Sequence, residues 1–331
     1  MMTPVPAEWS PHAAMWVGFP SHEELWQEDL ADAQREVAQL AHALAGPGRE
    51  RVKLMVANEE ALATALDLIG ATPGVEIVLE AFGDVWLRDT GPIFTAPGQG
   101  AGFRFNGWGE KYDMPGDDTV AERLAARAGA SLIRHDFVLE GGSLDHDGKG
   151  TILTTRQCLL NPNRNTGWRE GDAERALEVA LGARKIIWLD QGLMNDHTDG
   201  HVDNLARFVA PGVVACPVAF GADDPNAAVY DKVAETLAAA TDADGQHLRV
   251  ARIPSPGRVT DDDHHVVPAS HMNFLIANGA VVVPTYGDPA GDWAVQALEG
   301  LFPDRTVIGV AAHALLTGGG SFHCISQQEI A

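Results

Sequence analysis

Near the end of this 331-residue sequence a thiol follows three consecutive glycines, in the run Thr317-Gly318-Gly319-Gly320-Ser321-Phe322-His323-Cys324. Such a triplet lets the backbone take torsions closed to other residues and approach a ligand closely. A cysteine at the start of the strand-like run that follows reads as a presented nucleophile. Its chemistry needs a proton shuttle. His201 and Asp203 lie two apart, so in extended backbone both side chains project to one face, and an imidazole exchanges protons near neutral pH. His323, adjacent to Cys324, is expected to project to the opposite face and is a poor candidate for the base. Asp89, Glu140 and Asp203 would place three carboxylates around one nucleophile, a repulsive set unless a cation sits among them. A guanidinium fits that need, being planar and held by carboxylates through paired charge-assisted hydrogen bonds. Trp86 can cover its face, and its charge favours a neighbouring thiolate.

The scheme these residues suggest is covalent. Cys324 attacks the guanidinium carbon, His201 protonates departing ammonia, and His201 then activates the water that hydrolyses the thiouronium intermediate. No metal or organic cofactor is needed. Two other readings start from the same residues. The alternating His197, Asp199, His201 and Asp203, with the Asp261-Asp262-Asp263-His264-His265 cluster, could serve a metal hydrolase, although Asp261 to Asp263 also reads as a solvated loop at a site mouth. A non-catalytic propeller that only binds a cation is the other.

The elements that must position these groups alternate along the whole chain. Ser21 with Glu24 three residues on reads as a capping box ahead of a helix, with Trp26, Leu30, Ala33, Val37, Leu40, Ala41 and Leu44 at helical spacing until Gly46-Pro47-Gly48. Further helices are expected over 117–128, 172–181 and 224–240, and from Asp288-Pro289 to near Gly300. The order strand or hairpin, helix, strand recurs five times: 13–57 with an added short helix and strand to 79, 92–138, 150–189, 204–253 and 273–311. Arranged radially, five units point their connecting loops toward one end of the axis and bring Asp89, Glu140, His201, Asp203 and Cys324 together. No Pro/Ser linker breaks the chain, so one α/β domain spanning 1–331 is expected. Trp16, Trp188 and Trp293 read as core, and Cys158 and Cys216 as buried small hydrophobes within apolar strands.

Composition narrows the partner. Forty-six acidic against 23 basic residues give a formal charge of −23, which argues against nucleic acid or an anionic membrane and favours a cationic ligand. No run of about 18 apolar residues could span a bilayer, and the opening residues show no secretory signal, so a cytoplasmic location is expected. Three cysteines without metal-type or redox-type spacing indicate neither a disulfide framework nor a zinc knuckle. A homo-oligomer is compatible with the sequence.

Five dispersed motifs resemble, in order, the signatures of the agmatine deiminase and bacterial peptidylarginine deiminase family: Trp86-Leu87-Arg88-Asp89-Thr90-Gly91-Pro92, Leu139-Glu140-Gly141-Gly142-Ser143, Asn163-Arg164-Asn165, Gly200-His201-Val202-Asp203-Asn204, and Gly318 to Gln328. The resemblance implies the five-unit pseudo-symmetric α/β propeller (pentein) of guanidino-group-modifying enzymes, with Cys324, His201, Glu140, Asp89 and Asp203 catalytic. It also implies a small cationic guanidino substrate, agmatine first and arginine or another alkylguanidine next. Asp84, Trp86, Trp108 of the Asn106-Gly107-Trp108-Gly109 segment, Gly320 and Ser321 are the expected substrate-binding residues. The sequence departs from the family pattern where an N-terminal Glu-Arg pair is usual and here Glu23-Glu24 stands, where Ser321-Phe322 replace Asn-Ile, and where His271 replaces tyrosine.

Overall fold

The computed structural model describes residues 3–287 and 289–331, so the Asp288 half of one helix signal lies outside the described residues. Among the described residues five separate sheets carry the fold. In each, an antiparallel pair is followed, after a helical crossover, by a strand parallel to the middle one. The second sheet runs Ile93–Ala96, Gln99–Arg104, Ser131–Val138, and the third Asp145–His146, Thr151–Thr155, Lys185–Leu189. The fourth runs Arg207–Ala210, Val213–Val218, Arg249–Pro254, and the fifth Leu275–Ile276, Ala280–Thr285, Thr306–Ala311. The first sheet is built from both ends of the described chain: Ser326–Ile330 pairs antiparallel with His12–Gly18, and Val52–Val56 and Val75–Leu79 complete it.

The crossover helices are Leu30–Ala45, Val120–Ala128, Glu170–Leu181, Ala227–Ala239 and Pro289–Glu299. Gly129 and Gly182 end two of them in the left-handed conformation open to glycine, each closing the last turn through its amide. The middle strands are buried along their centres, and over their full length in Val52–Val56 and Thr151–Thr155, whereas the outer Ser131–Val138 is mostly exposed or half-buried. The opening strands of neighbouring sheets lie against one another, Asp145–His146 beside Arg207–Ala210 and Ile93–Ala96 beside Ser326–Ile330. The five units therefore stand around an axis, and the expected propeller architecture is observed. No helix of the described residues is long and apolar enough to cross a membrane.

Several local expectations fail for identifiable reasons. The Ser21–Glu24 capping box does not form: the Ser21 hydroxyl donates to the Phe19 carbonyl and accepts from the Ala57 amide, tying two strand ends together. The helix itself starts only at Leu30, after a turn at Glu23–Trp26. The apolar strand expected to hold Cys158 stops at Thr155, whose hydroxyl accepts from the Cys158 amide and opens a helical turn, so Cys158 and Leu159 are buried in that turn rather than in a strand. Cys216 is buried in its strand. Trp16 and Trp188 are buried, but Trp293 is 57% exposed and only edges against Phe220.

Candidate active site

The glycine run places the thiol by close packing as much as by torsion. Gly319 has φ +102°, but at Gly318 and Gly320 a Cβ would sit 2.7 Å from the Trp26 ring and 2.5 Å from the Trp86 ring. The strand of glycines is thus pressed against a tryptophan wall. The short helix before it, His313–Thr317, is fixed by Glu36, whose carboxylate accepts the backbone amides of His313, Ala314 and Leu315. Behind the thiol, Asn273 accepts the His323 amide at 2.9 Å and donates to Cys324 Sγ at 3.2 Å. Arg88 donates its amide to the Cys324 carbonyl and spends its guanidinium on Gln327, Gln328 and the His323 carbonyl, not on Asp89.

The connecting loops meet at this thiol. Asp203 Oδ2 lies 3.6 Å from Cys324 Sγ, and Asp89 Oδ1 lies 3.7 Å from His201 Nδ1. Asp89 also accepts from the Gly142 amide and the Trp108 indole, both at 2.9 Å. Gly142 is the point where three loops touch: a Cβ there would sit 2.6 Å from His201 Nδ1, 2.9 Å from Asp89 Oδ1 and 3.1 Å from Asp203 Oδ2. His201 and Asp203 share the centre because a 3-10 turn over Val202–Asn204 carries Asp203 round, not because the segment is extended. Both ring nitrogens of His201 and Asp203 Oδ1 are buried with no hydrogen-bond partner. Buried polar atoms left unpaired are costly, and here they converge on one spot.

Cys324 opens onto a cavity of about 270 Å³ lined by Trp26, Asp84, Trp86, Asp89, Trp108 and Tyr112 among others. Asp84 accepts both indole N–H groups, from Trp26 at 3.1 Å and Trp86 at 2.7 Å, and the two rings stack. Of the residues expected to bind substrate, Asp84, Trp86, Trp108 and Gly320 line this cavity. Ser321 does not; it is buried and faces Tyr286, while Phe322 is in the core. Glu140 is buried and accepts from Arg164 Nε at 2.7 Å, and Arg164 also pairs with Asp199 at 2.5 Å. The sequence offered no role for Arg164, Asn273, Glu36, Tyr112 or Glu8. Asn273 opens the fifth expected unit two residues after His271, and Arg164 stands inside the Asn163-Arg164-Asn165 motif. Trp26 was read only as a helix-face core residue.

Electrostatics follow from burial. The Cys324 thiol is pushed well above its ordinary value by burial and then by the charges of Asp203 and Asp89. Burial favours neutral His201, but Asp89, the Cys158 thiol beside it and Asp203 outweigh that and raise its pKa well above the usual histidine range. Burial lifts the Asp89 carboxyl to about 6, with His201 opposing and Asp203 adding to the rise. The resting centre is therefore a neutral thiol, an imidazolium and partly frustrated carboxylates. Of the groups considered as metal ligands, His197 pairs with Tyr112, and Asp199 with Arg164 and Lys111. Asp261 and His265 lie on an exposed turn beside an adjoining cavity. Glu140, Cys158 and His201 have ligand-type atoms within 4.8 Å of one another.

A propeller of five α/β units with a buried cysteine, histidine and carboxylates at its axis defines the class of guanidine-modifying enzymes, and the deiminase relatives place this chain among those that hydrolyse amidine C–N bonds. The chain belongs to the Porphyromonas-type peptidyl-arginine deiminase family, whose model matches residues 4–329. It is 37% identical to the agmatine deiminase of Stutzerimonas stutzeri, over 98% of this chain and 95% of that one. The agmatine deiminase of Enterococcus faecalis superposes with a TM-score of 0.91 at 30% identity, covering 98% of this chain and 95% of that structure. A C. jejuni agmatine deiminase with substrate bound superposes at 0.89 with 27% identity, covering 99% and 96%.

Proposed function

We propose that the protein is an agmatine deiminase, converting agmatine and water to N-carbamoylputrescine and ammonia. The observation that carries this reading is the convergence of unpartnered buried atoms, both His201 nitrogens and Asp203 Oδ1, beside a thiol that faces Asp203 across 3.6 Å. A bound guanidinium supplies N–H donors to Asp203 and Asp89 and reverses the negative field that keeps Cys324 protonated. The thiol then loses its proton to solvent and attacks the central carbon, giving a neutral tetrahedral adduct. The His201 imidazolium gives its proton to the departing nitrogen, ammonia leaves, and a thiouronium cation remains between the carboxylates. Neutral His201 takes a proton from water as the hydroxide adds, and collapse expels the cysteine sulfur with the hydroxyl proton, leaving the ureido product. Trp86 and Trp108 wall the cavity around the alkyl tail, with Asp84 behind two indoles. Glu140, held by Arg164, stands beside His201 to shape the water-activating side of the site.

Agmatine, arginine, an N-blocked arginine amide and an arginine peptide are to be compared by ureido and ammonia detection, with Cys324→Ala as control. Agmatine is expected to give the highest kcat/KM and Cys324→Ala none. Undiminished turnover in that variant, or no ammonia from any guanidine, defeats the reading.

A further inference from the structure

His323 does not line the cavity, yet its ring lies between Asp203 at the reacting centre and Glu8 beneath it. We propose that His323, anchored from beneath by Glu8, is a positioning residue that holds Asp203 ionised and aimed at the substrate beside Cys324. This inference rests on Asp203 being a substrate carboxylate.

The geometry is continuous. His323 Nδ1 lies 2.8 Å from Asp203 Oδ2, the oxygen that faces Cys324 Sγ at 3.6 Å. On the other side of the ring, Nε2 lies 3.5 Å from Glu8 Oε2. A ring with a carboxylate on either side is held by the shorter contact, the Nδ1 hydrogen bond to Asp203, and offers Nε2 toward Glu8. Glu8 cannot swing away: it accepts the Ile276 amide at 2.8 Å and pairs with Arg207, which is itself held by Asp145 at 2.6 Å and by the Phe274 carbonyl at 3.0 Å. The His323 backbone is pinned by Asn273. Asp203 is thus left with Oδ1 unpaired and Oδ2 fixed, the arrangement that directs one oxygen at an incoming cation. The charged and titratable groups facing Asp203 are His201 on its own loop, His323 and Cys324 on the last loop, Arg88 and Asp89 on the turn Leu87–Thr90, and Arg207 on the strand Arg207–Ala210. Those facing His323 are Asp203 and Glu8, with Arg88 and Arg207 on the axis and His146 near them. Burial works against the Asp203 charge, and the His323 hydrogen bond and charge are the first contributions that restore it.

Three variants separate aiming from charge. His323→Asn keeps an N–H near the Nδ1 position but loses the charge and the Glu8 contact. His323→Ala loses both, and Glu8→Gln leaves the ring while removing its second carboxylate. In His323→Asn, kcat/KM for agmatine is expected to fall about tenfold at pH 6.5 and to stay within about threefold of the parent at pH 9, because a carboxylate robbed of its cation titrates higher. Glu8→Gln is expected to move the acid limb the same way by less, and His323→Ala to lose activity at every pH. The same comparison made by calorimetric agmatine binding in a Cys324→Ala background needs no turnover, so a failure of the proposed reaction is distinguishable from a failure of this role. Profiles of His323→Asn and Glu8→Gln that superimpose on the parent overturn the proposal. So does a pH-independent drop that tracks a lowered melting temperature, the mark of a merely structural residue.

Discussion

Asp89 is asked to be charged where charge is least welcome. With its carboxyl lifted to about 6, chiefly by burial, it attracts a guanidinium only above that pH. Kcat/KM for agmatine is therefore expected to fall as pH drops through about 6, read from initial rates across buffers of constant ionic strength. Asp89→Asn, which loses the charge and one of two accepted hydrogen bonds, is expected to cost about 10- to 100-fold in kcat/KM at pH 8. At the alkaline end the raised His201 pKa would keep the proposed leaving-group acid protonated, and activity is expected to fall as pH rises through that elevated value. The residues proposed to carry reactivity stand out in the sequence because their types are rare in combination: a cysteine after glycines, a histidine with an aspartate two on. Glu8 was not, because a lone glutamate in a proline-rich stretch has no local signature, and its partners Arg207, Ile276 and His323 lie far along the chain.

At the scale of elements, the site depends on turns that tolerate no added atom. Gly142→Ala puts a methyl against His201, Asp89 and Asp203 at once. It is expected to cut kcat by about 100-fold or more through misplacement of reacting groups, with circular dichroism unchanged. Glu36 works at longer range, since one carboxylate from the helix Leu30–Ala45 accepts three amides of the helix that leads to the glycine run. Glu36→Ala is expected to destabilise by about 2 kcal/mol or more, as the loss of a cap with several buried donors stranded, seen as a lowered denaturation midpoint. Periodicity exposed the crossover helices, and the strands Ser131–Val138, Lys185–Leu189 and Thr306–Ala311 end at the bounds 138, 189 and 311 expected for their units. It misjudged 156–159, where a threonine side chain capped a turn in an otherwise strand-like apolar stretch. Side-chain to backbone hydrogen bonds of this kind override propensity and leave little trace in hydrophobic pattern.

Over the whole molecule the acidic excess is the dominant long-range feature. A formal charge of −23 draws cations toward every face, so kcat/KM for a cationic guanidine is expected to fall as sodium chloride is raised from about 20 to 500 mM, while kcat changes little. Pairing of His12–Gly18 with Ser326–Ile330 was invisible to a reading that looked for neighbours along the chain, although five units around an axis required some closure. That pairing has a temporal side. The strand that locks the first sheet begins two residues after Cys324, so the nucleophile is seated in the same event that joins the most distant segments. Such contacts form late because their loop-closure cost comes first. Activity in a refolding chain is therefore expected to return together with closure of the first sheet, read as turnover regained in step with hydrogen-exchange protection of the Ser326–Ile330 amides.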